Sequence, residues 1–184
     1  MIKYLLFVVL HMSAFSSYAS ESVLGDSKWL FEMSGSYGGD SLGTILFYGG
    51  EDQSIKAGQG LAFSTGFQQE LKDSDFGIKA LIGYKFSSSM ASNADVWKTV
   101  TPLDIIPYYR INKNSRIGLG VTLHLNPQID WDWLAPSEKF DDASGLVFEY
   151  SYSAFSFGYT SISYTSINRD VDASHFFIKV NNSF

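Results

Sequence analysis

Residues 101–126 read TPLDIIPYYRINKNSRIGLGVTLHLN and contain two alternating runs of apolar and polar side chains. In the second run, Leu119, Val121 and Leu123 share one face, while Thr122 and His124 share the other. Side chains alternate across a strand, so each run predicts a strand with one apolar face, and residues 112–115 predict a polar turn between them. Each strand is about ten residues long, which matches the roughly 9–11 residues that a tilted strand needs to cross a bilayer. The hairpin therefore predicts a transmembrane β-barrel.

Composition agrees with one domain that has a lipid-facing surface. The chain has 184 residues, of which 17% are charged and 16% aromatic, and it contains no Cys. The absence of Cys excludes disulfides, thiolate metal sites and Cys nucleophiles. The net charge is −6 and basic residues form no cluster, which argues against nucleic-acid binding. No cofactor or metal is expected.

The first 19 residues predict a secretory signal peptide. Lys3 precedes the apolar run Tyr4–Leu10, and Ser17 and Ala19 are small residues at the two positions that a signal peptidase reads. The apolar run is far shorter than the roughly 20 residues of a membrane-anchoring helix. We therefore expect cleavage after Ala19, with residues 20–184 as the barrel domain.

Eight strands follow in this prediction, and short and long connections alternate between them. Short connections are predicted at 71–75, 112–115 and 153–154, and longer ones at 38–58, 87–100, 127–142 and 167–172. Short periplasmic turns and longer external loops are typical of up-and-down antiparallel barrels of the bacterial outer membrane. A small hairpin is expected within 38–58 and a bulge near Ile162. The predicted strands are 28–37, 59–70, 76–86, 101–111, 116–126, 145–152, 155–166 and 173–184.

Alternation alone does not say which face is outside, and a soluble lipocalin-like barrel would alternate as well. Aromatic residues near the predicted strand ends favour the membrane, because such rings prefer the two bilayer interfaces. The C-terminal residue Phe184 also resembles the C-terminal signature that the barrel assembly machinery reads, although Asn182 stands where an aromatic is more usual. The residues of this predicted assembly signal are Phe176, Ile178, Val180 and Phe184.

The polar faces predict a closed lumen. The predicted inner face has four acids, five bases and one His, so the charges can pair with one another. Side chains fill the interior of an eight-stranded barrel, which favours a plugged lumen over an open pore. The residues of this predicted network are Glu32, Glu70, Lys79, Lys85, Asp104, Arg110, Arg116, His124, Glu149 and Lys179.

His124 is the one candidate for catalysis. With Asn126 two residues later and Glu138 in the next loop, it loosely resembles the His-x-Ser pair and distant Glu of lipid A deacylases, which are eight-stranded outer-membrane barrels. Asn126 stands at the nucleophile position, and Asn cannot attack an ester. We therefore expect a structural His124 and no enzyme, with a lipid-modifying enzyme as the alternative.

The loop 128–142 combines acidic and Trp residues. Clustered carboxylates can bind Ca²⁺ or bridge to lipopolysaccharide through divalent ions, although the spacing is not that of an EF-hand. The alternative is a solvated acidic loop whose Trp side chains enter the membrane interface. The residues concerned are Asp130, Trp131, Asp132, Trp133, Asp141 and Asp142.

The whole pattern resembles the small OmpA/OmpX-type outer-membrane barrels, and more closely an uncharacterised family of proteobacterial barrel proteins. The resemblance implies an outer-membrane location among lipid and lipopolysaccharide, a monomer, and no known activity. We therefore expect a structural or surface-binding role through the external loops. The matching stretches are GGDSL at 38–42, IKAGQGL at 55–61, IGYK at 82–85, ASNADVW at 91–97, RIGLGVTLHLNP at 116–127 and FDDASGLVFEY at 140–150.

Overall fold

The computed structural model describes residues 24–46, 52–91, 94–131, 136–167 and 169–184. Within these ranges the chain is all-β, and the predicted signal peptide lies outside them. Eight strands form the wall: β1 (Leu24–Tyr37), β4 (Gly60–Leu71), β5 (Phe76–Ala91), β6 (Ala94–Arg110), β7 (Ser115–Asp130), β9 (Ala143–Tyr152), β10 (Phe155–Ser161) and β13 (His175–Ser183). Five shorter strands lie beyond one end: β2 (Ser41–Leu46), β3 (Asp52–Lys56), β8 (Glu138–Lys139), β11 (Ser163–Thr165) and β12 (Asp170–Asp172).

The wall closes into a barrel. Each wall strand pairs antiparallel with the wall strand that follows it in the chain, and the first pairs with the last, from Leu30 opposite Ser183 to Tyr37 opposite Phe176. This up-and-down order confirms the predicted eight-stranded antiparallel barrel. Closure satisfies the backbone groups that an edge strand would leave unpaired. No helix in the described ranges is long and apolar enough to span a membrane.

The exterior of the barrel is apolar and the interior is largely polar. On β1, Trp29, Phe31 and Met33 face outward, whereas Glu32 is 2% exposed inside. On β13, Phe176 is 71% exposed while Lys179, three residues later, is buried. A soluble barrel has the opposite arrangement, so the lipocalin-like alternative does not fit this distribution.

The predicted polar loop at 87–100 is wrong. Strands β5 and β6 continue through it, paired from Ser87 opposite Lys98 to Ala91 opposite Ala94. Hydropathy gave no sign of strand here, because backbone pairing with the neighbouring strand requires no apolar side chain. The wall is therefore taller on the side of β5, β6 and β7.

The short strands and their connections form a cap over this end of the barrel. The cap, defined here as residues 38–59, 131–142 and 162–174 where described, contains a β2–β3 hairpin and a β11–β12 hairpin. The hairpin predicted within 38–58 is thus present. The apolar core of the cap also includes wall residues; its members are Leu42, Ile55, Ala57, Val96, Ile129, Phe140, Ala143, Ile162, Tyr164, Val171 and Ala173.

A bulge in β7 changes which residues face inward. Asn126 has a φ of 49°, and pairing with β6 jumps from Thr101–Leu125 to Thr99–Gln128. His124 is buried, Asn126 is exposed, and Ile129 is buried on the opposite parity. Placing Asn126 on the polar inner face was therefore wrong, because one extra residue reverses the alternation.

The bulge predicted near Ile162 is absent. Ser156, Thr160, Ile162 and Tyr164 are all buried, so the alternation continues without a shift. Ile162 and Tyr164 are apolar because they face the core of the cap, where the inside of the molecule is no longer polar. The change of side-chain type marks the passage from barrel to cap.

Candidate functional site

An ion network crosses the middle of the lumen. Lys79 Nζ lies 2.8 Å from Glu32 Oε1 and 2.5 Å from Glu149 Oε1. Lys179 Nζ lies 3.2 Å from Glu32 Oε2, 3.3 Å from Glu149 Oε2 and 3.7 Å from Asp104 Oδ2. These five side chains come from β5, β1, β9, β13 and β6, so the network ties together strands all around the wall.

The central network is buried. The side chains of Glu32, Lys79, Glu149 and Lys179 are all shielded from solvent. Buried charges are tolerated when each meets opposite partners, and removing one partner typically costs about 3–5 kcal/mol. These four crosslinked side chains, together with Asp104, are named here the plug.

Three further residues of the predicted lumen network lie nearer the short turns. Arg110 Nη1 donates to Glu70 Oε2 at 2.9 Å, and its Nε lies 3.4 Å from Asp75 Oδ1 in the turn after β4. Arg116 Nη1 donates to Gln68 Oε1, and its guanidinium stacks 5.5 Å from the ring centre of Tyr108. These groups are partly exposed, so they form the rim of the lumen and do not belong to the central plug.

Above the plug, a small chamber separates it from the cap. The cavity has about 40 Å³, enough for a few waters, and Lys85, Asp104, Thr122, His124 and His175 are among its lining residues. Thr122 Oγ1 is buried and has no hydrogen-bond partner among the described residues. The chamber is lined by both polar and apolar side chains, and its volume is too small for an organic substrate.

Two buried lysines fasten the cap to the wall. Lys98 Nζ donates to the carbonyls of Lys56, Ala57 and Gln59 at 2.9, 2.6 and 2.7 Å. Lys85 Nζ donates to the carbonyl of Gly58 at 2.8 Å. Backbone carbonyls at the end of β3 and in the connection to β4 therefore accept hydrogen bonds from both lysine side chains.

Sequence reasoning missed Lys98, because it lay in the predicted loop 87–100. The alternation of Val96, Lys98 and Val100 continues the inward register of Asp104 on the same strand, and all three are buried. Extending the register of β6 backwards from Asp104 was the available sign. A polar segment in register with an inner face deserves to be tested as strand.

His124 contacts the cap from inside the barrel. Its Nδ1 lies 2.5 Å from the hydroxyl of Tyr164, and its ring is buried beneath the cap. Burial in the cap core raises the pKa of the Tyr164 phenol. The Asn126 side chain is on the exposed side of β7, so it does not share a site with His124.

The third residue of the deacylase-like set is also elsewhere. Glu138 Oε2 accepts from Arg169 Nη2 at 2.7 Å within the cap, and this hydrogen bond lowers the pKa of the Glu138 carboxyl. The structure thus does not bring together His124, Asn126 and Glu138. A catalytic acyl-transfer arrangement needs a nucleophile and base within hydrogen-bond reach, which these residues lack.

The described acidic and Trp residues of loop 128–142 lie in different surroundings. Asp130, Asp141 and Asp142 are exposed, and Asp142 Oδ1 accepts from the backbone N–H of Asn126 at 2.9 Å. Trp131 is partly buried and packs against the core of the cap, and its entry into a membrane interface stays a prediction. Asp132 and Trp133 lie outside the described residues. Where side chains are described, no three metal-ligating residues cluster.

The predicted assembly signal lies at the end of the closing strand. Phe176, Ile178 and Val180 face outward on β13. Phe184 follows the strand and exchanges backbone hydrogen bonds with Trp29 at 3.0 and 3.2 Å, next to the β1–β13 seam. Recognition by the assembly machinery stays a prediction.

Solved structures share this fold at low sequence identity. Neisserial surface protein A matches with a TM-score of 0.54 and 12% identity, covering 88% of this chain and 99% of the other. Ail, the attachment invasion locus protein of Yersinia pestis, matches in its complex with the heparin analogue sucrose octasulfate, with a TM-score of 0.52 and 12% identity over 86% and 97% of the two chains.

No protein-family profile matches the sequence, and no curated protein matches it. The likeness therefore rests on structure alone. The wall closes with eight antiparallel strands in up-and-down order. By fold, the chain is a closed, eight-stranded, up-and-down antiparallel β-barrel, the fold that it shares with Neisserial surface protein A and Ail.

Proposed function

We propose that this protein is a non-enzymatic outer-membrane barrel with a closed lumen, acting as a structural or surface-binding element through its cap. Two observations support this most: a buried ion network joins strands across the lumen, and an apolar core lies within the cap at the outer end of the barrel. Together they favour a barrel closed at two levels. A barrel closed twice has only its outer surfaces available for contact. Those surfaces are the apolar wall and the exposed cap.

The proposed location follows from the wall. Its exposed side chains are large and apolar, as a surface in lipid requires. The predicted signal peptide and the fold shared with outer-membrane barrels support the same location. With termini and short turns in the periplasm, the cap faces the outside of the cell. Assembly by the barrel machinery and a monomeric state remain part of this proposal.

The cap suggests the charge of its partner. Among the described residues of the cap, the exposed charged side chains are mostly acidic: they are Asp40, Asp141, Asp142, Asp170 and Asp172, with Lys139 as the exposed base. Ail was solved with a polysulfated heparin analogue, but an acidic cap repels polyanions. A polyanion could approach this cap only through bridging divalent cations, as lipopolysaccharide phosphates can. We therefore keep divalent-bridged lipopolysaccharide as the proposed surface contact.

Two measurements on the refolded protein test the closed barrel. Heat-modifiable gel migration should show a compact folded band in the membrane fraction. Planar bilayers should show no large, stable channel, with an open porin reconstituted in parallel as the positive control. A steady conductance of porin size would contradict the closed lumen, and an unshifted band in the soluble fraction would contradict the barrel in the membrane.

The lipid A esterase alternative has its own test. Mass spectra of lipid A should be the same with and without expression of the protein. An acyl chain that is lost on expression, and retained with the His124→Ala variant, would establish the enzyme and overturn our proposal.

A further inference from the structure

One junction connects the bases of both cap hairpins to the wall. His175, the first residue of β13, has its Nδ1 2.8 Å from the carbonyl of Ala173 and its Nε2 3.2 Å from Lys85 Nζ. Lys85 Nζ in turn donates to the carbonyl of Gly58. Ala173 follows the β11–β12 hairpin and Gly58 follows the β2–β3 hairpin. This group, named here the His175 junction, therefore holds two separate parts of the cap.

The backbone around the junction is tightly packed at two glycines. A Cβ added to Gly58 would lie 2.6 Å from His175 Cβ, and one added to Gly38 would lie 2.9 Å from His175 Cα. Gly58 N also donates to the carbonyl of Gly38 at 3.0 Å. Since glycines at both bases of the β2–β3 hairpin touch His175, this hairpin cannot shift unless the junction rearranges.

The hydrogen bonds determine the protonation state of His175. The carbonyl of Ala173 only accepts, so Nδ1 must have the proton. The Lys85 ammonium only donates, so Nε2 must offer its lone pair. The closed junction thus requires a neutral imidazole. A second proton on Nε2 would remove this hydrogen bond and place two positive charges 3.2 Å apart.

Few acidic groups lie near His175 to balance the positive charge of a protonated imidazole. The titratable groups that face His175 are Lys85 on β5, Lys98 and Asp104 on β6, His124 on β7, Tyr164 on β11 and Lys179 on β13. Asp104 is the one carboxylate among the chamber-lining residues that the structure describes, and it is ion-paired with Lys179 at 3.7 Å. In the closed state, His175 Nε2 therefore does not bind a second proton. A solvated imidazole binds that proton near its ordinary pKa of about 6.5.

We propose that the cap is a pH-operated closure, in which protonation of His175 breaks its contact with Lys85, separates the base of the β11–β12 hairpin from that of the β2–β3 hairpin, which Lys98 still holds, and opens the chamber to the outside. The inference rests on the proposed function, in which the plug and the cap close the lumen at neutral pH. It adds a regulated state to a barrel that would otherwise be permanently shut.

The absence of Cys makes the opening measurable. Thr122→Cys places a single thiol in the chamber, and Ser163→Cys places one on the exposed surface of the cap. A small neutral pyridyl disulfide labels both in the purified, refolded barrel between pH 7.5 and 5. The ratio of the two rates cancels the pH dependence of the thiol chemistry. This range lies above the ordinary carboxylate pKa values of about 4, so the ion network keeps its charges.

We expect slow labelling of the chamber thiol at pH 7.5 relative to the surface thiol. Below pH 6.5 the ratio should rise by up to about tenfold per pH unit, because the open state then binds one more proton than the closed state. Protection that stays constant from pH 7.5 to 5 overturns the pH-operated closure and leaves the closed barrel intact. Equal rates for the two thiols at pH 7.5 contradict the closed barrel itself.

Matched variants assign the effect to the junction. In His175→Gln the side-chain amide does not titrate and can still accept from Lys85, so the pH dependence should disappear while protection remains. In Lys85→Met the repulsion is absent, so the pH dependence should flatten as well. His124→Gln, which removes the neighbouring imidazole, should keep it. A pH dependence that survives in His175→Gln and is lost in His124→Gln overturns the assignment.

Discussion

The inside of this molecule is built in two different ways, and the boundary lies at the chamber. Below it, Glu32, Lys79, Glu149 and Lys179 form paired charges across the lumen. Above it, the core of the cap closes the same axis with apolar side chains. In the proposed membrane location, the plug is made by strands whose outer faces meet lipid, whereas the cap stands in water. A polar interior in lipid and an apolar interior in water follow from the same rule, that the outside matches its solvent.

The largest effect should come from breaking the plug. Lys179→Met leaves Glu32, Glu149 and Asp104 with Lys79 as the main cation, so the free energy of unfolding should fall by about 3–5 kcal/mol. Denaturant unfolding in lipid vesicles, followed by tryptophan fluorescence, measures it. Lys113→Met in an exposed turn is the matched control and should change stability by less than about 0.5 kcal/mol. Equal losses in both would show that the plug does not stabilise the barrel.

A hole in the cap core should have a smaller and local effect. Ile129 is fully buried in that core, and Ile129→Ala should destabilise the cap by about 2–4 kcal/mol through lost burial and a cavity. The barrel itself should persist, so limited proteolysis should cleave the cap faster while the heat-modifiable band stays compact. Ile167→Ala, at a fully exposed position of the cap, is the control. Loss of the folded band in Ile129→Ala would mean that cap and barrel fold as one unit.

The bulge that joins the two regions should have an intermediate to small effect. Asn126 adopts a φ of 49°, a conformation that costs most non-glycine residues about 1–2 kcal/mol. Asn126→Ala should therefore be less stable than Asn126→Gly by about 1 kcal/mol in the same denaturant titration. Equal stability of the two variants would argue that the bulge is not under backbone strain.

The Glu138–Arg169 pair should give the smallest effect. Its hydrogen bond lowers the pKa of Glu138 below the usual 4.5, so the pair stabilises the cap above that pH, and the stability is lost as pH falls through the folded-state value. The pair is partly exposed, so its contribution should be about 0.2–1 kcal/mol. Proteolysis of the cap with an acid-active protease should accelerate below pH 4.5, and less so in Arg169→Gln. A variant with the same acid dependence as the parent would assign the effect to other groups.

Sequence alternation was sufficient for the wall and insufficient for the cap. Every residue of the predicted inner face, from Glu32 to Lys179, lies inside or at the rim of the barrel, because inward and outward positions follow from the period of two within each strand. The prediction of a loop at 87–100 was wrong, because β5 and β6 extend beyond the apolar band of the wall. There, backbone pairing continues although the hydropathic pattern stops.

The candidate site shows the same division. The prediction that His124 faces inward is confirmed. Its supposed partner Asn126 faces outward, because β7 has a bulge that a sequence pattern does not reveal. The His175 junction was not predicted at all. Its members Lys85, Gly58 and Ala173 come from three distant segments, and none has a local motif.

The sequence by itself determined the eight-stranded barrel, its strand order and the polar character of its lumen, because alternation and turn chemistry are properties of neighbouring residues. Only the tertiary structure decided how the charges pair, where β7 bulges, and how the loops fold into a cap over the chamber. Those features depend on contacts between residues far apart in the chain, and packing selects them only once the wall has closed.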